Sequence, residues 1–297
     1  MSFSSKVKDE LLNIETETPC CILAESYGLM LFGRGFSSSE VYISTENSKV
    51  AMRYKALAER FTDNPCEVTE TASGKLRVSV KTKEDRLKVL AAFGYSGKER
   101  TRRLNWANIS EECCIGSFLR GVFLACGTVN SPEKNYHFEF VVPHMYLSKD
   151  LIKFISDIDL CPKAVTRNGS YVLYFKDSTE IEDILAVMGA QSSTLELMGV
   201  KMYKDMRNNV NRRLNFESAN LDRTVNAALM QSDAIEKLIQ HNMLTELSPE
   251  LQEIAKLRLE NPDYSLKQIG DLLSLPLSRS GVNHRLKKLC TLAQELK

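Results

Sequence analysis

The chain has 297 residues, of which 43% are hydrophobic and 26% charged, a balance typical of globular proteins with two or three domains at this length. Its formal net charge is only +1, so the overall charge gives no argument for an acidic partner such as nucleic acid. No apolar run approaches the roughly 20 residues of a membrane-spanning helix, and the N-terminal segment lacks the apolar stretch of a signal peptide. These features exclude an integral membrane protein, and we expect a cytoplasmic location with no membrane partner.

The eight cysteines and four histidines show no spacing typical of a metal or redox site. There is no C-x-x-C pair, and the histidines are scattered along the sequence. Free cysteines in apolar surroundings act as small hydrophobic side chains and suit a reducing compartment. The sequence therefore predicts no metal site and no cofactor.

The first predicted element is a helix near the N-terminus. Val7, Leu11 and Ile14 share one side of it, and Ser4 or Ser5 is its predicted N-cap. A serine hydroxyl is favoured there because it accepts a hydrogen bond from a free backbone N–H of the first turn.

Similar pieces of sequence recur in the same order, which indicates an internal duplication. Cys20-Cys21-Ile22 precedes Gly28 and Cys113-Cys114-Ile115 precedes Gly121, with a displacement of 93 positions. Farther along, SGKLRVSV resembles NGSYVLYF, and KEDRLKVLAAFG resembles STEIEDILAVMG. We predict a duplicated domain over 1–200, with halves at about 1–95 and 104–195.

Each half is predicted to run helix, two strands, helix, two strands, helix, which is an α+β pattern. The opening helices fall at about 21–32 and 114–125, and the middle helices at about 50–61 and 145–158. Ser73-Gly74 and Asn168-Gly169 are predicted hairpin turns, Asn-Gly being a strong signal for a tight turn between antiparallel strands.

Gly28 and Gly121 fall inside the apolar opening helices, where glycine costs up to about 1 kcal/mol relative to alanine. That cost is tolerated where two backbones approach closely. We predict that the two opening helices contact each other at these glycines and form the interface between the halves. The alternative is that each glycine packs against its own sheet.

The second opening helix resembles the LAGLIDADG motif of homing endonucleases. The segment LRGVFLACG matches it at Leu119, Gly121, Ala125 and Gly127, whereas the first copy, SYGLMLFGR, matches only at Gly28-Leu29. The resemblance implies a duplicated αββαββα domain with pseudo-twofold symmetry, whose helix pair forms the interface and whose strands form a saddle over DNA.

In active endonucleases of this family, an acid near the end of each motif binds the catalytic divalent metal. The corresponding positions hold Gly33 and Cys126. Because Mg²⁺ requires oxygen ligands, and phosphodiester hydrolysis requires the metal, the resemblance implies that nuclease activity is lost.

Two groups of basic residues are candidates for additional DNA contact by analogy with this saddle. The first lies between the halves and the second after them: Lys98, Arg100, Arg102 and Arg103; Lys201, Lys204, Arg207, Arg212 and Arg213. Ordinary solvated linker segments are an equally open alternative for both groups.

From about Asn208 the composition becomes polar, and we predict a helical linker over 201–245 followed by an all-α domain over 246–297. The first helix of that domain begins with Ser248 as N-cap and Pro249 at its first position, and ends at Asn261-Pro262. The second part of the linker carries a predicted apolar stripe of Val225, Leu229, Ala234 and Leu238.

Two further amphipathic segments, 265–273 and 278–290, are separated by a connector in which Pro276 favours a sharp turn. This is the pattern of a helix-turn-helix, whose second helix enters the major groove of DNA. The alternative is a helical hairpin with a solvated basic face. The predicted buried positions are Leu266, Ile269, Leu273, Val282, Leu286 and Leu289.

The opposite face of the last helix supplies the predicted DNA-binding residues. Basic side chains suit phosphates and give salt-dependent affinity, and asparagine suits adenine in the major groove. The phosphate set is Arg279, Arg285, Lys287 and Lys288, and the base-reading set is Ser280, Asn283 and His284, with Lys287 suited to either role.

Over its whole length the chain resembles the WhiA family of bacterial sporulation and cell-division regulators. The most specific segments are SFSSKVKDEL, RRLNFESANLDRTVNAA and ENPDYSLKQIGDLLSLPLSRSGVNHRLKKL, the last of which also resembles the promoter-recognising region of sigma factors. The resemblance implies a non-catalytic, nucleoid-associated transcription factor for cell division and chromosome segregation, with sporulation in relatives. The implied partners are double-stranded promoter DNA and other transcription factors or RNA polymerase.

Two other functions stay open at this point. The duplicated domain could be a protein-interaction platform, with DNA contact only through the C-terminal domain. A nuclease could instead use Glu25, Glu111 and Glu112, although the last two are more simply first-turn acids favoured by the helix dipole. A pseudo-twofold domain within one chain favours a monomer.

Overall fold

The computed structural model describes residues 2–296, which form two compact units. The first unit ends at Lys204 and the second begins at Asp205. The first is a duplicated α+β unit and the second is all-α, so the predicted fold class is confirmed. Within the described residues, no helix is both long and apolar enough to cross a bilayer.

The two halves of the first unit have the same order of elements, preceded by α1 (Phe3–Leu12). The first half contains α2 (Pro19–Leu31), β1 (Gly35–Phe36), β2 (Val41–Thr45), α3 (Ser48–Ala58), β3 (Glu67–Glu70), β4 (Leu76–Ser79) and α4 (Lys83–Ala92). The second half contains α5 (Glu112–Cys126), β5 (Gly127–Val129), β6 (Phe138–Val142), α6 (Met145–Ser156), β7 (Lys163–Arg167), β8 (Ser170–Phe175) and α7 (Ser178–Met188). The predicted order of helices and strands is confirmed in both halves.

The N-cap predicted for α1 is wrong by two or three positions. Ser2, rather than Ser4 or Ser5, precedes the helix, and its hydroxyl accepts a hydrogen bond of 3.1 Å from the backbone N–H of Ser5. The helix begins earlier because Phe3 belongs to its buried face together with Val7 and Leu11.

Each half forms a four-stranded antiparallel sheet with the same strand order, β1-β2-β4-β3 and β5-β6-β8-β7. Ile43 pairs with Val78 and Phe140 pairs with Leu173, so the buried side chains share one face of each sheet. The hairpin before β8 turns at Asn168 and Gly169, whose φ angles of 48° and 75° are those of the predicted Asn-Gly turn.

Helices α2 and α5 contact each other at their glycines. A Cβ atom added to Gly28 would lie 2.4 Å from the carbonyl oxygen of Phe118, and one added to Gly121 would lie 2.2 Å from that of Glu25. Neither distance is possible for a real side chain, so only glycine permits this approach. The prediction that the opening helices form the interface is confirmed, and packing of these glycines against their own sheets is wrong.

The segment that connects the halves is anchored to this helix pair through Tyr27. The hydroxyl oxygens of Tyr27 and Tyr95 are 2.6 Å apart, and the backbone N–H of Asn105 donates to the Tyr27 hydroxyl at 2.6 Å. Because Tyr27 is fully buried, these bonds satisfy a polar group that burial would otherwise destabilise.

Residues 191–240 form one continuous helix, α8 (Gln191–Gln240). The segment predicted as a linker therefore lies largely inside a helix that starts before it. Its predicted apolar stripe is wrong at Val225 and Leu229, which are exposed, whereas Leu238 is buried in the core of the second unit.

The second unit is a small helical domain. It contains the part of α8 from Asp205 onward, α9 (Pro249–Glu260), α10 (Leu266–Leu272) and α11 (Arg279–Glu295). Ser248 precedes α9 with Pro249 at its first position, and Asn261 ends it, as predicted. Fully buried residues of this core include Ile235, Leu238, Ile254, Ala255, Ile269, Val282, Leu286 and Leu289.

Candidate nucleic-acid interface

The turn between α10 and α11 is fixed by close backbone packing. A Cβ atom at Gly270 would lie 2.3 Å from the carbonyl oxygen of Leu277, and the backbone N–H of Leu277 donates to the carbonyl of Gly270 at 3.1 Å. The Glu253 carboxylate accepts from the hydroxyl and the backbone N–H of Ser274, at 2.6 and 2.7 Å. These bonds lower the pKa of Glu253, so the carboxylate that holds the turn stays charged.

Helix α11 begins where Ser278 accepts a hydrogen bond from the backbone N–H of Gly281 at 3.3 Å. Val282, Leu286 and Leu289 are completely buried against α9 and α10, as their spacing predicts. The start of α10 is fixed in a similar way, by a reciprocal pair of hydrogen bonds between Ser265 and Gln268. The fixed turn and the buried stripe together determine which face of α11 is exposed.

Six of the seven predicted DNA-binding residues lie on that exposed face: Arg279, Ser280, Asn283, His284, Lys287 and Lys288. Arg279 and Ser280 are also in the first turn, where the positive end of the helix dipole favours anions.

Arg285 differs from the other six. It is half-buried, and its Nη2 atom lies 2.8 Å from Oε2 of Glu250 in α9. This bond links α11 to α9, so a phosphate would have to compete with Glu250 for the Arg285 guanidinium.

A basic crevice of about 770 Å³ opens beside the start of α11, within the second unit. Its lining includes Asn283 from the predicted set and four cationic side chains, of which only Arg279 was predicted to bind DNA: Arg223, Arg258, Lys267 and Arg279. No local pattern could have revealed the other three, because they come from α8, α9 and α10 and converge only in the fold.

Within that crevice Arg258 is nearly fully buried. Its Nη1 atom donates to the carbonyls of Tyr264 and Pro262 at 2.9 and 3.3 Å, and among the described residues its Nε atom has no hydrogen-bond partner. Burial lowers the pKa of this guanidinium. Arg258 therefore supports the chain that leads into α10 rather than offering a free charge.

Two of the four residues in the basic group between the halves, Arg102 and Arg103, are engaged within the protein. Arg102 is half-buried and donates to the carbonyl of Phe36 at 3.1 Å, and burial lowers its pKa. Arg103 donates to both carboxylate oxygens of Asp150, at 2.7 and 2.8 Å. Lys98 and Arg100 are exposed.

The basic group after the halves divides in a similar way. Lys201 pairs with Glu182 at 3.1 Å, and Lys204 donates to the carbonyl of Pro132 at 2.6 Å. Arg213 pairs with Glu217 one turn along α8 at 3.0 Å. The other two residues of this group, Arg207 and Arg212, are exposed to solvent.

The two positions predicted to correspond to the catalytic acids of the endonucleases, Gly33 and Cys126, lie at the C-terminal ends of α2 and α5. Cys126 is the last residue of α5, and burial raises the pKa of its thiol to about 12. At Gly33, a Cβ atom would lie 3.1 Å from the carbonyl oxygen of Met30 and 3.2 Å from that of Tyr42. A glycine and a protonated thiol do not fit a divalent ion that prefers oxygen ligands.

The three acids considered for an alternative nuclease site do not meet there. Glu25 is buried, with its carboxylate oxygens 3.1 Å from Nε of Arg120 and 2.8 Å from Nε of Arg53. Glu111 and Glu112 are exposed at the start of α5, the end opposite Cys126.

The outward faces of the two sheets carry different chemistry. On the first sheet, Arg77 lies 3.7 Å from the ring centroid of Tyr42 and 3.7 Å from a carboxylate oxygen of Glu40. On the second, Val141 and Val165 are exposed on β6 and β7. Neither face is uniformly basic.

Four cysteines that are far apart in the sequence come together in the fold. The Sγ atoms of Cys20, Cys21, Cys113 and Cys114 all lie within 4.8 Å of one another. The spacing of the cysteines in the sequence gives no sign of this group, because its two pairs come from different halves and meet only in the fold.

Two family models match the chain, the WhiA LAGLIDADG-like domain over residues 115–207 and the WhiA C-terminal HTH domain over residues 210–293. A protein of Alkaliphilus metalliredigens named probable cell division protein WhiA is 36% identical over 309 residues, covering 99% of this chain and 98% of its own. A protein of the same name from Ruminiclostridium cellulolyticum is 38% identical, covering 100% and 98%. The crystal structure of full-length DUF199/WhiA from Thermotoga maritima superposes with a TM-score of 0.61 at 23% identity, covering 100% and 99%, and has the same fold.

Proposed function

Because the chain belongs to the WhiA family, we propose that it is a DNA-binding transcriptional regulator that serves cell division and chromosome segregation and does not cut DNA. The observation that carries this proposal is the exposed face of α11, where polar and basic side chains lie over a fully buried apolar stripe. The names of its relatives support the cellular role. The domain organisation within this proposal is 1–200 for the duplicated domain, 201–245 for the helical linker and 246–297 for the helix-turn-helix domain.

In this proposal α11 enters the major groove with its first turns towards the bases. Arg279, Lys287 and Lys288 contact phosphates, and Asn283 and His284 read base edges. Arg285 has a second role, because its pairing with Glu250 holds α11 against α9.

The absence of catalysis is supported by Gly33 and Cys126, neither of which offers an oxygen ligand for Mg²⁺. Incubation of the full chain with plasmid DNA and Mg²⁺ or Mn²⁺ tests this directly, since nicking above background would contradict the proposal.

The decisive experiment measures fluorescence anisotropy of the full chain with duplex DNA selected from a random library, over a range of salt. Lys288→Ala should weaken binding to every sequence and reduce the salt slope by about one. Asn283→Ala should instead lose about 1–3 kcal/mol of discrimination at one base pair. Lys256→Ala, an exposed lysine on α9, is the matched control and should leave both quantities unchanged.

The two outcomes that would overturn the proposal are distinct. An unchanged salt slope in Lys288→Ala would contradict the proposed contact between Lys288 and a phosphate. If Asn283→Ala lost the same affinity for every DNA sequence, the proposed contact between Asn283 and a base would be contradicted.

A second candidate function concerns the first unit, which we propose as a platform for a protein partner such as RNA polymerase or another transcription factor. The exposed valines Val141 and Val165, together with the engagement of Arg102 and Arg103 within the protein, favour this over a second DNA surface. Surface plasmon resonance with purified RNA polymerase tests it. Val165→Asp should weaken that binding while DNA affinity stays unchanged, and no measurable binding of the unaltered chain would argue against this partner.

A further inference from the structure

Four cysteine thiols meet at one end of the interface between the halves. Cys20 and Cys21 are in the first turn of α2, and Cys113 and Cys114 are in the first turn of α5. The sulfur atoms of Cys20 and Cys113 are 3.8 Å apart, and all four lie within 4.8 Å of one another. Among residues 2–296 this is the one group of cysteine, histidine and acidic side chains close enough together to hold a metal ion.

The arrangement follows from the duplication. Each half contributes a Cys-Cys pair at the same place in its opening helix, and the contact between α2 and α5 brings the two pairs face to face. A pair of adjacent cysteines cannot by itself surround an ion, whereas two pairs related by a twofold axis present four ligands from two sides.

We propose that these four thiolates bind a single Zn²⁺ ion that joins the two halves. The geometry fits, because a tetrahedral site with Zn–S bonds of about 2.3 Å places its sulfur atoms roughly 3.8 Å apart. The distance between Cys20 and Cys113 already has this value. The other sulfur atoms need to move by no more than about 1 Å, a change that side-chain rotation supplies.

The surroundings favour the negative charge that such a site requires. Each cysteine pair lies at a helix N-terminus, where the dipole and the free backbone N–H groups stabilise thiolates.

The chemistry of binding is a proton exchange without a redox step. Each cysteine still protonated releases its proton as its sulfur coordinates the ion, and the product is a closed site with a charge of −2. With four protein ligands no position is left for water or substrate, so the role of the ion is structural. Cys113 is exposed and Cys20 is half-exposed, which gives the ion a path from solvent.

Two other fates of these thiols fit the distances less well than a single ion does, and they are outcomes of the test. An iron–sulfur cluster interposes several iron atoms and needs its ligands farther apart than one ion does. A disulfide between Cys20 and Cys113 would require their sulfur atoms to move from 3.8 Å to about 2.05 Å apart and would leave Cys21 and Cys114 unused.

The experiment uses the full chain, purified under reducing conditions without chelator, and measures bound metals by plasma mass spectrometry. We expect one Zn²⁺ per chain and no iron. Cys113→Ser and Cys20→Ser should each lose the ion, whereas Cys161→Ser, which changes an exposed cysteine outside the group, should keep it. Far-UV circular dichroism establishes that each variant is folded.

A second measurement does not depend on the variants. Zinc is removed with a chelator and Co²⁺ is added to the unaltered chain. Four thiolate ligands give intense visible bands and a sulfur-to-metal charge-transfer band in the near ultraviolet, and the midpoint of thermal unfolding should rise again by several degrees. Absence of both zinc and these bands, stoichiometric iron and sulfide, or a mass 2 Da lower from a Cys20–Cys113 disulfide would each overturn the proposal.

Discussion

Helices α2 and α5 occupy equivalent places in the two halves of the first unit, and they are alike in some positions and unlike in others. Each contributes one glycine to the contact between them and a pair of cysteines to the same end. Their charged residues differ, because Glu25 comes from α2 and its partner Arg120 comes from α5. Residues that fix the backbone approach are the same in both halves, while residues that fill or charge the interface have diverged.

The outward faces of the sheets extend the same comparison. The first sheet presents Arg77 already paired with Glu40 and stacked on Tyr42. The second presents exposed valines and, on its edge strand β7, the exposed basic side chains of Lys163 and Arg167. Two sheets with one strand order thus offer different surfaces, so a single symmetric ligand does not suit both.

The largest effect is expected from breaking the asymmetric charge pair. Glu25→Gln removes the carboxylate from between Arg120 and Arg53 and leaves the buried Arg120 guanidinium without its counter-charge. Breaking a buried pair in this way should lower the free energy of unfolding by about 3–5 kcal/mol. Urea denaturation measures it, with Glu217→Gln as control, because that carboxylate belongs to an exposed pair and should change stability by less than about 1 kcal/mol.

The glycine contact is expected to be nearly as sensitive, and equally so from both sides. Gly28→Ala and Gly121→Ala each force a Cβ atom into the backbone of the opposite helix, and overpacking of this kind should lower the free energy of unfolding by about 2–3 kcal/mol. Gly199→Ala, on an open face of α8, should instead be neutral or stabilise by up to about 1 kcal/mol. If one of the two interface variants matched this control, the contact would not be symmetric.

A pH effect of intermediate size is expected at Asp85 in the first half. Its carboxylate accepts from the side chain of Asn64 at 2.8 Å and from the backbone N–H of Asp63 at 2.9 Å, which lowers its pKa from 3.8 to about 2. The unfolded chain therefore binds this proton first as pH falls. The contribution of Asp85 to stability is complete above pH 3.8 and is lost between there and pH 2.

Urea denaturation at several pH values from 5 to 2 tests this linkage. Asp85→Asn should unfold more easily at pH 5 and lose less stability on acidification than the unaltered chain. Parallel pH curves for the two proteins would assign the acid sensitivity to other carboxyls.

The smallest effect is expected from the outward face of the second sheet on DNA binding. Replacing both Lys163 and Arg167 by alanine should change the affinity of the full chain for duplex DNA by less than about twofold. Replacing both Lys287 and Lys288 should lower it by about tenfold, since each lost phosphate contact weakens binding at all sequences. Comparable losses in the two double variants would mean that the sheets have kept the DNA-binding surface of the endonuclease fold.

Features that depend on local spacing could be predicted from the sequence. The glycine positions, the Asn168-Gly169 turn and the buried stripe of α11 all follow from the conformational needs or the periodicity of a few neighbouring residues. The duplication added one long-range contact, because equivalent helices in a pseudo-twofold domain meet at its axis.

Features that depend on convergence in space could not be predicted in this way. The two cysteine pairs meet only in the fold, and nothing in the sequence indicated that Arg102 would be half-buried and bonded to the carbonyl of Phe36. A helical linker was predicted over 201–245, but the same helix begins earlier, at Gln191, inside the range predicted for the duplicated domain. For the cysteines and for Arg102, the deciding partner is remote in sequence.

The contact between Gly28 and Gly121 cannot form until the ribosome has synthesised both helices. The two residues are separated by 93 positions. At a translation rate of roughly 5–20 residues per second, Gly121 is therefore added about 5–19 s after Gly28. Until then Leu29 and the rest of its apolar surface have no counterpart from the second half. Exposed apolar surface of this kind favours aggregation of the nascent chain, so slowing translation in the second half should lower the soluble yield.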